Sequence, residues 1–180
     1  MALDSDNVRV AVTGAVYVAP TGTAAPNYAD DTLNVAFTDL GYVSADGITE
    51  TIDRSTEQIR SWQDGSLVRE ITSEGTYSVE LTFIETNQDV VELYYGATLA
   101  SGSLNIDPRS SGGRQSFVID VIDGTAIERT YIAAGEITSV GERTLASGEA
   151  IGYTVTITAY ADASEVVATK LFTDFGSVEP

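Results

Sequence analysis

Chemistry in this sequence would have to come from carboxylates, because the chain holds no histidine and no cysteine. That removes the commonest general base, the commonest zinc ligand and every thiolate. Paired acids occur at Asp4/Asp6, Asp30/Asp31 and Asp120/Asp123. Two carboxylates do acid–base work only when one is desolvated and its pKa displaced. These pairs read as tail, loop and strand end, where water keeps a carboxylate ordinary. Asp120 and Asp123 could offer oxygens to calcium, but calcium takes about six to eight oxygens and the Asp-x-Asp-x-Asp-Gly loop is missing. Ser111-Gly112-Gly113-Arg114 lacks the strand–loop–helix setting and the Lys-Ser/Thr pair of a phosphate loop. A serine nucleophile would need Lys170, the only lysine, as its base. Nothing in the pattern brings the two together. The sequence therefore assigns no catalytic residue, no metal ligand and no cofactor, and an enzyme is the weaker reading.

The elements that could position other functions are mostly strands. The stretch 76–96, TYSVELTFIETNQDVVELYYG, is the best defined. Tyr77, Val79, Leu81 and Phe83 alternate with Ser78, Glu80 and Thr82, which predicts a strand with one dry and one wet face. A short helix follows, with Thr86 as the expected cap, Asp89 in the first turn and Gly96 at the stop. Val90, Leu93 and Tyr94 share one helix face. A helix this short does not hold alone, since isolated helices need about 12–15 residues, so it must pack on a sheet.

In chain order, 8–18 predicts a first strand with Gly14 at a bend or close approach. Residues 20–31 read as a loop and 35–42 as a short strand. The segment 44–66 has thin apolar content, with Ile48, Ile52, Ile59 and Trp62 among charges of alternating sign. Asp46-Gly47 and Asp64-Gly65 are hairpin-type turn signals, and Ile48–Arg54 and Glu57–Trp62 between them can each be a strand. With so little to bury, the segment reads either as a floppy insertion or as an arm that orders against another subunit, with Trp62 as anchor. Residues 67–73 and 76–84 predict a hairpin turning at Glu74-Gly75, with Glu70 and Thr72 joining Glu80 and Thr82 as polar positions. Strands are further expected at 115–122, 126–134 continuing through 136–140, and 149–160, the last as the longest. The end, 164–180, fits a frayed strand or a helix and is taken as an extended arm. About eight strands and one helix argue a mainly β fold, two packed antiparallel sheets in a sandwich or barrel. One domain spans 1–180, with arms at 1–7 and 164–180.

Composition limits the partners. The chain carries 27 Asp+Glu against 9 Lys+Arg, net −18, spread along its length. Such a surface repels nucleic acid and anionic membranes, whose binding is dominated by cations. No run approaches the ~18 apolar residues of a membrane helix. The start, MALDSDNVRVAV, lacks a signal-peptide pattern, so synthesis and retention in a cytoplasm are expected.

Several blocks, in order, resemble a known family. They are Asp39-Leu40-Gly41-Tyr42-Val43-Ser44, then Asp46-Gly47-Ile48-Thr49-Glu50, then Ile59-Arg60-Ser61-Trp62-Gln63-Asp64-Gly65, then FIETNQDVVELYYG at 83–96. They look like the major tail tube proteins of long, non-contractile-tailed phages of actinobacteria. The resemblance runs from about residue 39 to 96. It implies two packed β-sheets plus one helix, similar to the tube protein of type VI secretion. It also implies a structural virion protein, assembled in the host cytoplasm, whose hexameric rings stack into a tube through which genome DNA passes without specific binding. The implied partners are other copies of the chain and tail proteins such as the tape measure, tail terminator and distal tail proteins. No room remains for a surface immunoglobulin-like domain. On that basis Glu70, Thr72, Ser78, Glu80 and Thr82 are candidates for the lumen wall. Ile48, Ile52, Ile59 and Trp62 are candidates for inter-subunit contact. The competing reading is a monomeric acidic β-barrel that binds a small ligand between Tyr and Val side chains.

Overall fold

Eight strands and one helix follow one another in the computed structural model, which describes residues 7–173: β1 (Thr13–Pro20), β2 (Thr38–Asp39), β3 (Val43–Arg60), β4 (Leu67–Phe83), α1 (Gln88–Tyr95), β5 (Gln115–Asp123), β6 (Ala126–Val140), β7 (Tyr153–Ala159) and β8 (Thr169–Phe172). All pairings are antiparallel, in the order β2-β1-β5-β6-β7-β4-β3, with β8 beside β6. Among the described residues no helix is long and apolar enough to cross a membrane.

The two expected sheets are two wings of one hydrogen-bonded sheet, and β6 is the corner. Its residues Glu128–Tyr131 pair with β8, while Gly135–Val140 pair with β7. Long strands change sheets at bends and bulges, and β6 slips register between Ile137 and Ser139. Gly135 marks the corner: a Cβ there would lie 2.7 Å from Phe117 of β5 and 2.9 Å from Ile157 of β7. Only a residue without a side chain lets the two wings converge there.

The core fills the space between the wings. Val16, Phe117, Ile119 and Ile132 come from one wing, and Val79, Leu81, Phe83, Tyr153, Val155 and Ile157 from the other. Each is at most 2 % exposed, and each such side chain is worth roughly 1.5–3 kcal/mol on burial. Helix α1 adds Val90 and Leu93 to the same cluster.

Several boundaries differ from the sequence reading, each for a local reason. The helix cap is Asn87, not Thr86: Asn87 is extended, and its Oδ1 accepts from the Val90 amide at 2.9 Å. Its Nδ2 also donates to the Leu40 carbonyl at 3.0 Å, so one amide side chain caps the helix and holds the segment before β3. Thr86 instead meets the Tyr153 hydroxyl at 3.3 Å. Gly96 ends the helix in the left-handed conformation, as expected, and donates to the Glu92 carbonyl.

Strand β1 starts at Thr13, and Val8, Val10 and Val12 are exposed. Their alternation is real, but the chain there is not part of the strand ladder and meets the 122–123 end through Val12 N–H to the Ile122 carbonyl and Val10 N–H to Asp123 Oδ2. Gly14 is the expected close approach, since a Cβ there would sit 2.4 Å from the Asp120 carbonyl. The 35–42 strand shrinks to two residues, β2. β7 holds only Tyr153–Ala159, so β3 and β4 are the longest strands, not 149–160. Of the proposed terminal arms, only the part within 7–173 can be placed: Thr169–Phe172 is a strand of the sheet, and residues 1–6 and 174–180 lie outside the described residues.

A candidate assembly surface on the β3–β4 hairpin

Strands β3 and β4 form one long hairpin whose turn is at 61–66. The expected turn at Glu74-Gly75 does not exist, because β4 runs unbroken through it from Leu67 to Phe83. Nor is 44–66 a loop, since β3 occupies Val43–Arg60. The two possible strands at 48–54 and 57–62 are this one strand, and the Asp64-Gly65 signal lies in its turn; ladder hydrogen bonds to β4 satisfy its backbone without burying side chains.

The hairpin has a supported half and a free half. β7 pairs with β4 only from Tyr77 to Phe83. Beyond that point residues 53–76 are a two-stranded ribbon, with no third strand beside it among the described residues. Every residue from 49 to 76 is exposed except Ser61. With eight residues from Asp53 to Arg60 at ~3.4 Å each, the ribbon projects roughly 25 Å.

Register decides which side chains share a face. From Thr49 to Ser55, odd residues of β3 lie opposite even residues of β4: Thr49 with Glu80, Thr51 with Ser78, Ser55 with Glu74. A bulge at Ser73 then makes the next pairs Thr56 with Thr72 and Gln58 with Glu70. An extra residue reverses the facing of everything beyond it. Ser78, Glu80 and Thr82 therefore share one face, here the outer face, and Glu70 and Thr72 lie on the other. The five candidate lumen residues do not form one row.

The outer face is broader than the sequence implied. Ser78, Glu80 and Thr82 lie opposite Thr158, Thr156 and Thr154 of β7. Thr82 and Thr154 hydroxyls are 2.8 Å apart, and Thr138 and Thr158 hydroxyls 2.7 Å. The wet side of β7 was legible as a threonine row, but its pairing with β4 was not.

At the tip, Ser61 N–H donates to the Ser66 carbonyl at 2.8 Å, and Asp64 accepts from the Ser61 hydroxyl and from the Ser66 amide. These bonds, the Ser61 hydroxyl first, pull the Asp64 carboxyl down to about 2. Trp62 is 96 % exposed on this tip. Of the other contact candidates, Ile52 and Ile59 are exposed, and Ile48 packs against its own core. Ile52 also lines a cleft of about 340 Å³ at the ribbon's root with Arg54, Tyr77, Val167 and Lys170.

Lys170 is no base. Its Nζ lies 2.8 Å from Glu50 Oε2 and also bonds Glu128, tying β8 and β6 to the hairpin. Burial works against its charge, but the two carboxylates outweigh it and hold the ammonium above its ordinary pKa. Tyr77 donates to Glu50 at 2.9 Å, and burial, followed by that negative charge, pushes its phenol up.

Asp120 departs from the solvated reading. It is 5 % exposed and takes a two-pronged bond from Arg129, at 2.7 and 2.8 Å. Arg129 also donates to the Asp31 carbonyl at 2.7 Å, pinning the loop after β1 over the sheet. Among the described residues no cluster of three acids could hold a metal. A cleft of about 600 Å³ lies open between the end of α1, the 106–111 loop and β6.

The fold is similar to two chains of the anti-feeding prophage. One, from its tube-terminating cap, is 12 % identical with a TM-score of 0.48, over 94 % of this chain and 98 % of that one. The other, from its baseplate, is 14 % identical with a TM-score of 0.47, over 92 % and 96 %. No curated protein matches the sequence. Residues 1–179 match the phage tail tube protein family, which covers all but the last residue. The chain belongs to that family, and so is a structural protein of a phage tail and not an enzyme.

Proposed function

We propose that copies of this protein close into hexameric rings, that the rings stack into the tail tube, and that genome DNA leaves through the lumen during ejection. The observation that carries the self-assembly reading is the β3–β4 ribbon. A lone two-stranded hairpin is marginal in water, and a long unpaired edge invites pairing with another chain. Here β3 is both the sheet's terminal strand and one side of the projecting ribbon. A heterologous contact of this kind closes into a ring or repeats along an axis, so one copy's ribbon and edge find their partners on the next. Trp62 and Ile52 are the apolar contacts of that interface, Ile59 lies on the other side of the ribbon opposite Arg69, and Ile48 serves its own subunit.

The outer face of β4 and β7 is then the lumen wall. Ser78, Glu80 and Thr82, with Thr154, Thr156 and Thr158, offer hydroxyls and carboxylate and no cation. Screening limits repulsion of DNA to about 8 Å at physiological salt, so such a wall prevents sticking and does not drive transport. Tape measure, terminator and distal tail proteins are the expected neighbours at the tube's ends, and a siphovirus of an actinobacterium is the expected source.

Negative-stain microscopy of the purified protein tests the reading. Hollow filaments with sixfold end views are expected. A stable monomer at high concentration would overturn it, and a small molecule bound in the monomer would favour the carrier alternative.

A further inference from the structure

The charges of the ribbon are sorted by face, and the sorting was invisible in the sequence. Residues 53–76 hold three of the nine basic residues and five of the 27 acids, leaving 22 acids against six bases elsewhere. These 24 residues thus hold a third of the bases, while their net −2 is, per residue, about as acidic as the rest of the chain. Register separates its charges further. Before the bulge, even residues of β3 share the side of Ile52 and Tyr77, which faces the core at the hairpin's root. Both register shifts beyond Ile48, at Ser73 and at Val68, fall on β4 and leave β3 without an extra residue from Ile48 to Arg60. Arg54, Thr56, Gln58 and Arg60 therefore continue that side, and Arg60 reaches the Gln58 side chain. Across the bulge they are joined by Thr72 and Glu70. The opposite side, continuous with Glu80, holds Asp53, Glu57 and Glu74, with Arg69 and the pair Ile59 and Ile71. One side therefore carries two arginines and one glutamate, and the other three acids and one arginine.

Among the described residues no carboxylate pairs with either arginine; the ion pairs there involve Arg109, Arg114, Arg129 and Lys170. Arg60 bonds only the Gln58 side chain and the Gly65 carbonyl, at 2.9 and 3.3 Å. Arg54 lines the root cleft, on the same side as Tyr77 and Lys170, in agreement with the register.

We infer that the ribbon docks on a second copy of this chain through its Arg54/Arg60 side, with the acidic body of that copy as the counter-surface. This rests on the proposal that the ribbon makes the contact between copies. Copies at net −18 repel one another, and complementary charge sets orientation and encounter rate more than affinity. The basic side of the ribbon is where that repulsion reverses. Docked this way, the ribbon turns its acidic side the same way as the Glu80 wall, so one strand pair carries an adhesive face and a non-adhesive one.

Four variants of the full chain test this: Arg54→Glu with Arg60→Glu, Arg69→Glu, Arg54→Ala with Arg60→Ala, and replacement of residues 55–74 by a two-residue Asn-Gly turn, which keeps Arg54 opposite Gly75. Assembly is followed by sedimentation and negative-stain microscopy against protein concentration, and monomer folding by circular dichroism. The first and second variants fold as wild type, because all three arginines are exposed. The double reversal is expected to abolish filaments, and Arg54→Ala with Arg60→Ala to raise the concentration needed for assembly roughly tenfold. Arg69→Glu, on the acidic side, is expected to assemble within about twofold of wild type. Equal loss in both reversals, or normal assembly of the Arg54/Arg60 reversal, overturns the inference. Normal assembly of the shortened ribbon overturns the reading beneath it. A shortened ribbon that fails while the Arg54/Arg60 reversal assembles removes only the arginine side.

Discussion

Asp64 and Asp120 show how differently two carboxylates behave in one chain. Asp64 is exposed, yet three bonds from Ser61 and Ser66 hold its carboxyl down to about 2. A depressed carboxyl stabilises the fold fully above its ordinary value of 3.8 and loses that contribution as pH falls through about 2. Asp64→Asn is therefore expected to lower the protection factor of the Ser66 amide at neutral pH, and acid between about pH 4 and 2 to lower it in the wild type when exchange is normalised to the unstructured-peptide rate at each pH. An unchanged Ser66 protection factor would show that the tip does not depend on this carboxylate. Asp120 is held instead by a buried arginine. Arg129→Met strands a charge, which costs about 3–5 kcal/mol, so the monomer's Tm is expected to fall by roughly 10 °C. Adding Asp120→Leu should recover most of the loss, because replacing both partners leaves no uncompensated charge. The check is thermal unfolding of the three proteins side by side.

Among the elements, β6 and the β3–β4 hairpin do the most. β6 serves both wings because Gly135 lets Phe117 and Ile157 meet over its backbone. The hairpin is uneven in support, with residues 77–83 of β4 sandwiched between β3 and β7 and residues 53–76 free. Local opening follows buried contacts and third-strand support. In the monomer, amides of 53–60 and 67–76 are expected to exchange at least about a hundredfold faster than those of 77–83. In the filament the difference should vanish. Mass-resolved exchange on both forms measures it, and strong protection of the ribbon in the free monomer would sink the idea that another copy orders it.

On the scale of the whole molecule, charge is arranged rather than merely abundant. Net −18 is a solubility device for a free subunit, but a tube needs surfaces that meet. Bases are therefore concentrated on one side of the ribbon, and acid stays on the outer face that continues from Glu80. Glu80 is exposed and sits opposite Thr49 and Thr156. Replacing it by arginine in an intact phage is expected to leave tail length unchanged in micrographs but slow DNA release at least severalfold, since cations on the wall would hold phosphates. Normal release kinetics from such tails would take Glu80 off the lumen.

The sequence alone determined the quantities set by local pattern. The dry row Tyr77, Val79, Leu81 and Phe83 reads directly from period-two alternation. So do the Gly96 helix stop, the Asp123-Gly124 turn, and the absence of any histidine or thiol chemistry. The order of blocks between 39 and 96 also pointed to the tail tube family, which the match over 1–179 bears out. Tertiary structure decided everything that depends on what a strand pairs with. Alternation cannot reveal the bulge at Ser73, so it put Glu70 and Thr72 in one row with Glu80. Thin burial in 44–66 hid that its two possible strands are one, held by backbone bonds alone. Asp120 looked solvated because nothing nearby in sequence announces Arg129 across the hairpin or the loop folded over both. A side chain's facing is fixed by its neighbours in the chain, but its partner and its dielectric surroundings are fixed by residues far from it, and function here resides in those.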